Sequence, residues 1–349
     1  MKNKLKFLWW VLGILAVVGA YAVFAGSLRS QMEETLTAAC KRTVTIRSAQ
    51  FTLPPAIRLI GLEVARAHGE ARAPLKVDMI QASLAASSWM QGQPGGELEV
   101  FHPQFYMEWT LEARAVTAMG GAPVIQSAGV PITRVQVHNG DLTFVDRTTV
   151  PNVFWNFQET DFTAQPGTRP AEQAFTLSSR LKDEQGRELG TVRARGTWLS
   201  GGPVDAQVEL SDRDISKLSG YLRKVLGTAP SRGAMQMDVR LTVHQGVLMA
   251  HSDVTATGVV FSDSQPTTLG LDGNRLVELL KDRDGKIHLS FIVAGKLGEK
   301  LDWSDLAAGA MREAMRQAMS RSIQKVLSDT EQDKPVGELL QKKMDSLGR

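Results

Sequence analysis

The sequence predicts a mainly β chain with a few helices: an N-terminal transmembrane helix, a long run of antiparallel strands with one hydrophobic inner face, and a C-terminal amphipathic helix. Three observations predict it. Residues 7–25, FLWWVLGILAVVGAYAVFA, form a run of 19 residues without a charge. Residues 234–243, AMQMDVRLTV, alternate between apolar and polar from Met235 onward without exception. Near the C-terminus, Met311, Met315, Met319, Ile323 and Leu327 recur every four residues.

At about 1.5 Å per helical residue, residues 7–25 reach across the roughly 30 Å hydrocarbon core of a bilayer. Trp9 and Trp10 at one end and Tyr21 near the other suit the two interfaces, and Lys2, Lys4 and Lys6 place the N-terminus in the cytoplasm. A cleaved signal peptide is the competing reading, because Val23-Phe24-Ala25 before Gly26 suits a signal peptidase. Against it, the apolar run exceeds the about 7–15 residues of a signal core. Either way the remainder is exported. Setting the three lysines aside leaves 37 of the 40 basic residues against 37 acids. Such a neutral body argues against nucleic acid as a partner, which a basic surface would hold. One cysteine, Cys40, excludes an intramolecular disulfide and a thiolate zinc site. With 349 residues, 43% of them apolar, the chain is long enough for two domains or one elongated one.

The elements follow in order. Residues 27–42 have helix-favouring composition, and 43–51 then alternate as a first strand that the Leu53-Pro54-Pro55 step interrupts. Residues 57–64 and 75–84 read as strands with Gly69 and Pro74 between them. After Gly95-Gly96, ELEVFHPQFYMEW places Phe101, Phe105, Met107 and Trp109 on one face, and Pro103 marks an edge or a bulge. Residues 113–131, rich in Ala and Gly, read as a linker. Strands at 132–137 and 142–145 flank Asn139-Gly140, a hairpin signal because both residues tolerate positive φ. A second hairpin turns at Glu184 to Gly186, and a third at His244-Gln245-Gly246 joins 234–243 to 247–261. Repeated antiparallel strands of this kind imply one long sheet or a sandwich. Helices are expected at 274–281 and 302–329, the second capped by Asp302 or Ser304, with Arg312, Arg316, Arg321 and Lys325 mainly off its apolar stripe. The expected organisation is therefore an anchor over 1–26, an α/β segment over 27–112, the linker over 113–131, a β-rich domain with the C-terminal helix over 132–328, and a polar tail over 329–349.

Catalytic patterns are missing from the sequence. The six histidines, at 68, 102, 138, 244, 251 and 288, lack the paired helical spacing of a zinc protease, and no nucleophile elbow, phosphate loop or dinucleotide fingerprint occurs. His244 and His251 flank a turn without a third metal ligand. Asp282-Arg283-Asp284-Gly285 is turn chemistry, and Asp141 adjoins the Asn139-Gly140 turn. Residues 138–157, HNGDLTFVDRTTVPNVFWNF, gather acids and aromatics, but alternation puts Leu142 and Phe144 on one face and Asp141 and Thr143 on the other. Asp146 shares the Phe144 parity and ends the strand, where it is placed to bond the amides of the turn before Pro151. The expectation is a protein that is not an enzyme and has no cofactor or metal.

Three segments resemble a known family. The lysine-flanked anchor followed by GLEVARAHGEARAPLKVDMIQASLAASSWMQGQ and GELEVFHPQFYMEW resembles the N-terminal part of AsmA-like envelope proteins. VQVHNGDLTFVDRTTVPNVFWNFQETDFTA resembles the repeated element of the domain-of-unknown-function family 748, with Gly140, Leu142, Phe144, Asp146 and Pro151 in the family's places. LVELLKDRDGKIHLSFIVAGKLGEK, residues 276–300, is similar to that family's C-terminal motif through Leu279, Leu280, Lys281, Asp282, Arg283, Gly285, Ile287, Gly295 and Leu297. The resemblance covers most of residues 1–327. It implies a single-pass protein of the Gram-negative inner membrane with a cytoplasmic N-terminus and a periplasmic body. It also implies an elongated, curved antiparallel sheet folded over a hydrophobic groove, with a part in lipid transport toward the outer membrane or in outer-membrane assembly.

The expected groove wall is Met235, Met237, Val239, Leu241 and Val243, with Leu142, Phe144, Phe101 and Phe105. Its partner would be a phospholipid or another envelope lipid, held by apolar shielding. Met311, Met315, Met319 and Ile323 form a stripe that either docks on the sheet or meets the membrane interface. The alternative is a scaffold for envelope-assembly proteins whose apolar face is a closed core.

Overall fold

The computed structural model describes residues 25–52, 56–66, 72–84, 95–109, 132–167, 172–183, 185–199, 202–212, 214–262, 266–297 and 303–331, apart from the side chains at 109, 303–304 and 325–331. All but the last residue of the expected membrane span, and all of the expected linker, lie outside the described residues. No described helix is long and apolar enough to cross a membrane. The two proposed caps of the C-terminal helix are outside the described side chains as well.

Residues 25–40 form helix α1. Twelve strands follow among the described residues: β1 (Val44–Thr52), β2 (Ala56–Val64), β3 (Leu75–Leu84), β4 (Gly96–Trp109), β5 (Ile132–Asp146), β6 (Val153–Pro166), β7 (Glu172–Lys182), β8 (Glu188–Leu199), β9 (Val204–Asp212), β10 (Arg232–His244), β11 (Val247–Val260) and β12 (Lys286–Lys296). Between β9 and β10 a 3-10 turn, Ile215–Leu218, leads into α2 (Ser219–Leu226); α3 (Gly273–Leu280) precedes β12 and α4 (Trp303–Glu331) follows it. The chain is mainly β, and the strands are hydrogen-bonded in sequence order from β1 to β12 in one sheet. Of the two expected arrangements, sheet and sandwich, this is the sheet. Pairing is antiparallel from β1 to β4 and from β7 to β12. Sequence-adjacent strands pair throughout, some joined by short turns and others by segments that carry the helices, so the local alternation of each strand suffices to set its face.

The chain divides into two compact units, one of Met1–Met107, Thr117–Thr143 and Gln158–Pro166, the other of Glu108–Val116, Phe144–Phe157 and Gly167–Arg349. In the first, Val44, Ile46, Leu59, Leu62, Val64 and Val77 form an apolar core, and Leu28, Met32, Leu36 and Cys40 of α1 pack on it. Their spacing of four residues is the helical period that keeps one stripe against the sheet. Two polar contacts hold the helix in register: Glu33 Oε1 accepts the Ile46 N–H at 2.7 Å, and Thr37 Oγ1 accepts the Val44 N–H at 3.0 Å. The Ile46 bond, opposed by partial burial and aided by Arg29, holds the Glu33 carboxyl below its ordinary value of 4.5. A depressed folded pKa gives stability that is present above the unfolded value and lost as the pH falls through the folded one. Exchange protection of the Ile46 amide is therefore expected to decline below the ordinary value of 4.5 in the intact chain. Glu33→Gln is expected to remove that pH dependence, read by hydrogen exchange between pH values on either side of it.

Asn139-Gly140 is not the hairpin turn that its composition predicts. β5 runs unbroken from Ile132 to Asp146, with Asn139 at φ 52° inside it. His102 in β4 and Glu159 in β6 also have positive φ, 48° and 50°. All three lie within continuous strands, so the sequence preference for positive φ is met inside a strand as well as at a turn. Pro103 is buried beside His102 in an interior strand whose register with β3 does not shift, so it marks neither the expected edge nor a bulge against β3. A Cβ on Gly140 would lie 3.0 Å from the Pro103 ring, so that proline packs where a side chain would stand. Asp161 Oδ1 accepts the Asn139 N–H at 3.0 Å, which satisfies a donor that the irregular ladder leaves over.

In the second unit the other two predicted hairpins are present. Between β7 and β8, buried Asp183 accepts the N–H groups of Gln185 and Arg187 at 2.9 and 2.8 Å. Burial raises its carboxyl, and the Arg187 and Gln185 bonds outweigh this and leave it lowered. Between β10 and β11, Gln245 and Gly246 both have positive φ, 49° and 76°, the twist that a two-residue hairpin requires. Helices α2 and α3 are fixed at their ends. Asp214 caps the 3-10 turn, and Gly227 ends α2 in the left-handed region with its N–H on Arg223 O. Asp272 caps α3 by accepting from Asn274 and Arg275. Asn274 then clamps the end of β11, accepting Phe261 N–H and donating to Phe261 O, both at 2.9 Å.

Candidate functional site

On β10 the apolar residues Met235, Met237, Val239, Leu241 and Val243 share one face, as the alternation predicts. Antiparallel register extends each into a row across the second unit's sheet. Leu210, Met237, Val254 and Leu289 form one row, and Val208, Val239, Ser252 and Phe291 the next. Ala206, Leu241, Ala250 and Val293 follow, then Val204, Val243 and Leu248. One face of β9 to β12 is thus almost continuously apolar along four rows.

Helices cover only part of that face. The core gathers Leu222, Val225 and Leu226 of α2, Leu276 and Val277 of α3, and Ala308 and Met315 of α4 against Met235, Val254, Ala256, Ile287 and Leu289. The most enclosed of these, such as Leu276 at 2% exposure, each contribute about 1.5–3 kcal/mol of burial. Helices and sheet do not close completely. Between them lies a cavity of about 500 Å³, lined on the sheet side by Met235, Met237, Val254, Ala256, Leu289 and Phe291, and on the helix side by Leu222, Val225, Leu276, Met311 and Met315. Val239, Leu241 and Val243 continue the face beyond these walls as half-buried residues. The cavity therefore meets a shelf of the same apolar rows, where Phe175 and Trp198 also pack with ring centroids 5.5 Å apart.

The residues singled out in the sequence are distributed as follows. Met235, Met237 and Phe144 line the cavity, and Val239, Leu241 and Val243 lie on the shelf. Leu142, Phe101 and Phe105 belong to the first unit, where Phe101 stacks on His138 at 4.9 Å. Met311 and Met315 of the helical stripe face the cavity and Met319 packs on the core, while Ile323 is 46% exposed. His244 stands opposite Val247 and His251 opposite Arg240, so the hairpin does not bring the two histidines together. No group of three metal-ligating side chains occurs among the described residues. Asp282 accepts the N–H groups of Asp284 and Lys286 at 2.9 and 2.8 Å, the expected turn.

Polar residues are few in the wall, and three of them form a connected corner. Asp146, 4% exposed, bonds the turn before Pro151 as the sequence predicts, accepting the Thr148 N–H at 2.8 Å and the Thr148 hydroxyl at 2.6 Å. It also faces Tyr221 of α2, whose hydroxyl it accepts, and the Tyr221 oxygen in turn accepts the Trp155 indole N–H. Burial first, then the charge of Asp146 and the bond to it, push the Tyr221 phenol above its usual range, against the opposing Trp155 bond. Asp146, Trp155 and Tyr221 all line the cavity. Sequence reading treated Asp146 as purely structural and did not identify α2, Tyr221 or Trp155. The signal for α2 is the series Ile215, Leu218, Leu222, Val225 and Leu226, which keeps helical spacing before Gly227.

No protein-family model matches the chain, and no curated protein matches it significantly.

Proposed function

We propose that this chain is a membrane-anchored protein of the Gram-negative envelope, AsmA-like in kind, that shields an acyl chain of an envelope lipid from water and contributes to lipid transfer between membranes. One observation carries the reading: the cavity of about 500 Å³, apolar on both the sheet and the helix side, which continues onto the half-buried shelf of Val239, Leu241 and Val243. That volume falls within the about 300–1,000 Å³ of ordinary ligand sites. Each methylene that moves from water into such a site gains about 0.8 kcal/mol, so a chain is held without elaborate recognition of its head. The mechanism is passive. A chain enters along the shelf and comes to lie between the walls under α2, α3 and α4, and the lipid leaves when a membrane offers equal shielding. The uncharged run at 7–25 would tether the body to the membrane from which the lipid is drawn.

Organic extraction of the purified full-length chain, followed by mass spectrometry, tests this. The expected result is a reproducible set of alkyl-chain lipids at near-stoichiometric amounts, exceeding what a control membrane protein with an identical anchor carries. Preparations that carry no more lipid than the control would overturn it and favour the closed-core scaffold.

A further inference from the structure

Among the described residues, the cavity is lined by one acid, Asp146, and by no lysine, arginine or histidine. Its polar corner is also asymmetric in hydrogen bonding. The Asp146 carboxylate has about four acceptor sites, of which the Thr148 N–H, the Thr148 hydroxyl and the Tyr221 hydroxyl use three. The Tyr221 proton is spent on Asp146 and the Trp155 N–H on Tyr221. The corner therefore has acceptor capacity left and no donor to give. Ser252, the remaining polar residue of the wall among those described, is an uncharged hydroxyl one row farther along β11 than Val254.

We infer that this corner selects the ligand's head: the cavity takes a single-chain amphiphile that brings a hydrogen-bond donor, a long-chain alcohol or amine, and rejects the fatty-acid anion. The inference rests on the cavity holding an alkyl chain, as proposed above. An O–H or N–H delivered to Asp146 fills its remaining acceptor site in surroundings where an unfilled one is costly. A carboxylate head would bring only acceptors to a corner already rich in them, with no basic side chain among the described residues of the wall to offset them.

The test is displacement of the neutral dye N-phenyl-1-naphthylamine from the full-length chain in amphipol by four ligands of equal length: 1-dodecanol, dodecylamine, dodecanoate and dodecane. The alcohol and the amine are expected to displace the dye at concentrations about tenfold or more below dodecanoate, with dodecane between them. Asp146→Asn, which keeps the shape and adds donors, is expected to improve dodecanoate, weaken dodecylamine and close most of that gap. Dodecanoate equal to or better than dodecanol in the wild type overturns the inference, as does an unchanged order in a folded Asp146→Asn protein. If that variant does not fold, the wild-type order alone decides. Equal displacement by all four ligands removes head selection and leaves the alkyl-chain reading intact. Failure of all four, dodecane included, removes the alkyl-chain reading and this inference with it.

Discussion

Replacing Gly190 by alanine is expected to unfold the second unit or to lower its Tm by roughly 8–16 °C, an effect of about 4 kcal/mol or more. Gly190 in β8 stands opposite Leu181 on β7 and Asp212 on β9. The β7–β8 register shifts next to it, between Leu181 and Lys182, and on its other side the Gly190 backbone lies close against Ser211 of β9. A Cβ there would collide with the carbonyl oxygen of Ser211, and would also lie 2.6 Å from the Ser211 carbonyl carbon and 3.1 Å from Asp212 Cα. These are backbone atoms within a ladder, so no rotamer change relieves the contact. Strand separation would break the row in which Asp212 pairs with Met235, the row that seats the cavity wall at that end. Asp212 has little tolerance for it: its Oδ2 is buried without a hydrogen-bond partner among the described residues, and burial already raises its pKa. Gly309→Ala is the control. That glycine is helical with open space where its Cβ would stand, and alanine there is expected to stabilise by up to about 1 kcal/mol. Thermal unfolding of the two variants, followed by circular dichroism, separates the outcomes; similar Tm values would contradict the steric argument.

The ease with which strands could be read from the sequence, and the difficulty of reading the cavity, have one physical cause. Alternation along 234–243 needs only the chain's own period of two, and the strand limits at 57–64 and 75–84 are bounded by local Pro and Gly. Both statements survive in the fold because every connection joins neighbouring strands. Asn139-Gly140 misled because the local preference is for a backbone dihedral and not for a turn. Here that dihedral lies inside a continuous strand, beside Gly140, against which Pro103, 37 residues away, packs. α2 has only eight residues, and its apolar stripe becomes recognisable with the 3-10 turn before it. The polar corner is more remote still. Asp146, Trp155 and Tyr221 come from a strand end, the following strand and a short helix, and only long-range register brings them together. The parity of Asp146 with Phe144 was legible and placed it on the right face. Its partner was not.

Substituting Met237 by arginine is expected to weaken alkyl-chain binding by roughly sixtyfold while the protein stays folded. Met237 is half-buried in the cavity wall, in the row of Leu210, Val254 and Leu289. A guanidinium at this place cannot remain against those side chains without a partner, and the long side chain would turn along the face toward the shelf. The shelf is the route proposed for the ligand. Displacing three methylenes of a bound chain costs about 2.4 kcal/mol at about 0.8 kcal/mol each, which is the sixtyfold loss. Val247→Arg provides the contrast, since Val247 is 43% exposed and shares the opposite face of the same hairpin with Met249, so it adds equal charge without touching the walls. Dye displacement by 1-dodecanol is expected to be unchanged in Val247→Arg and strongly impaired in Met237→Arg, with cooperative unfolding in both. If Met237→Arg remains folded and binds as the wild type does, the walls under α2, α3 and α4 are not where the chain lies, because Met237 is part of those walls.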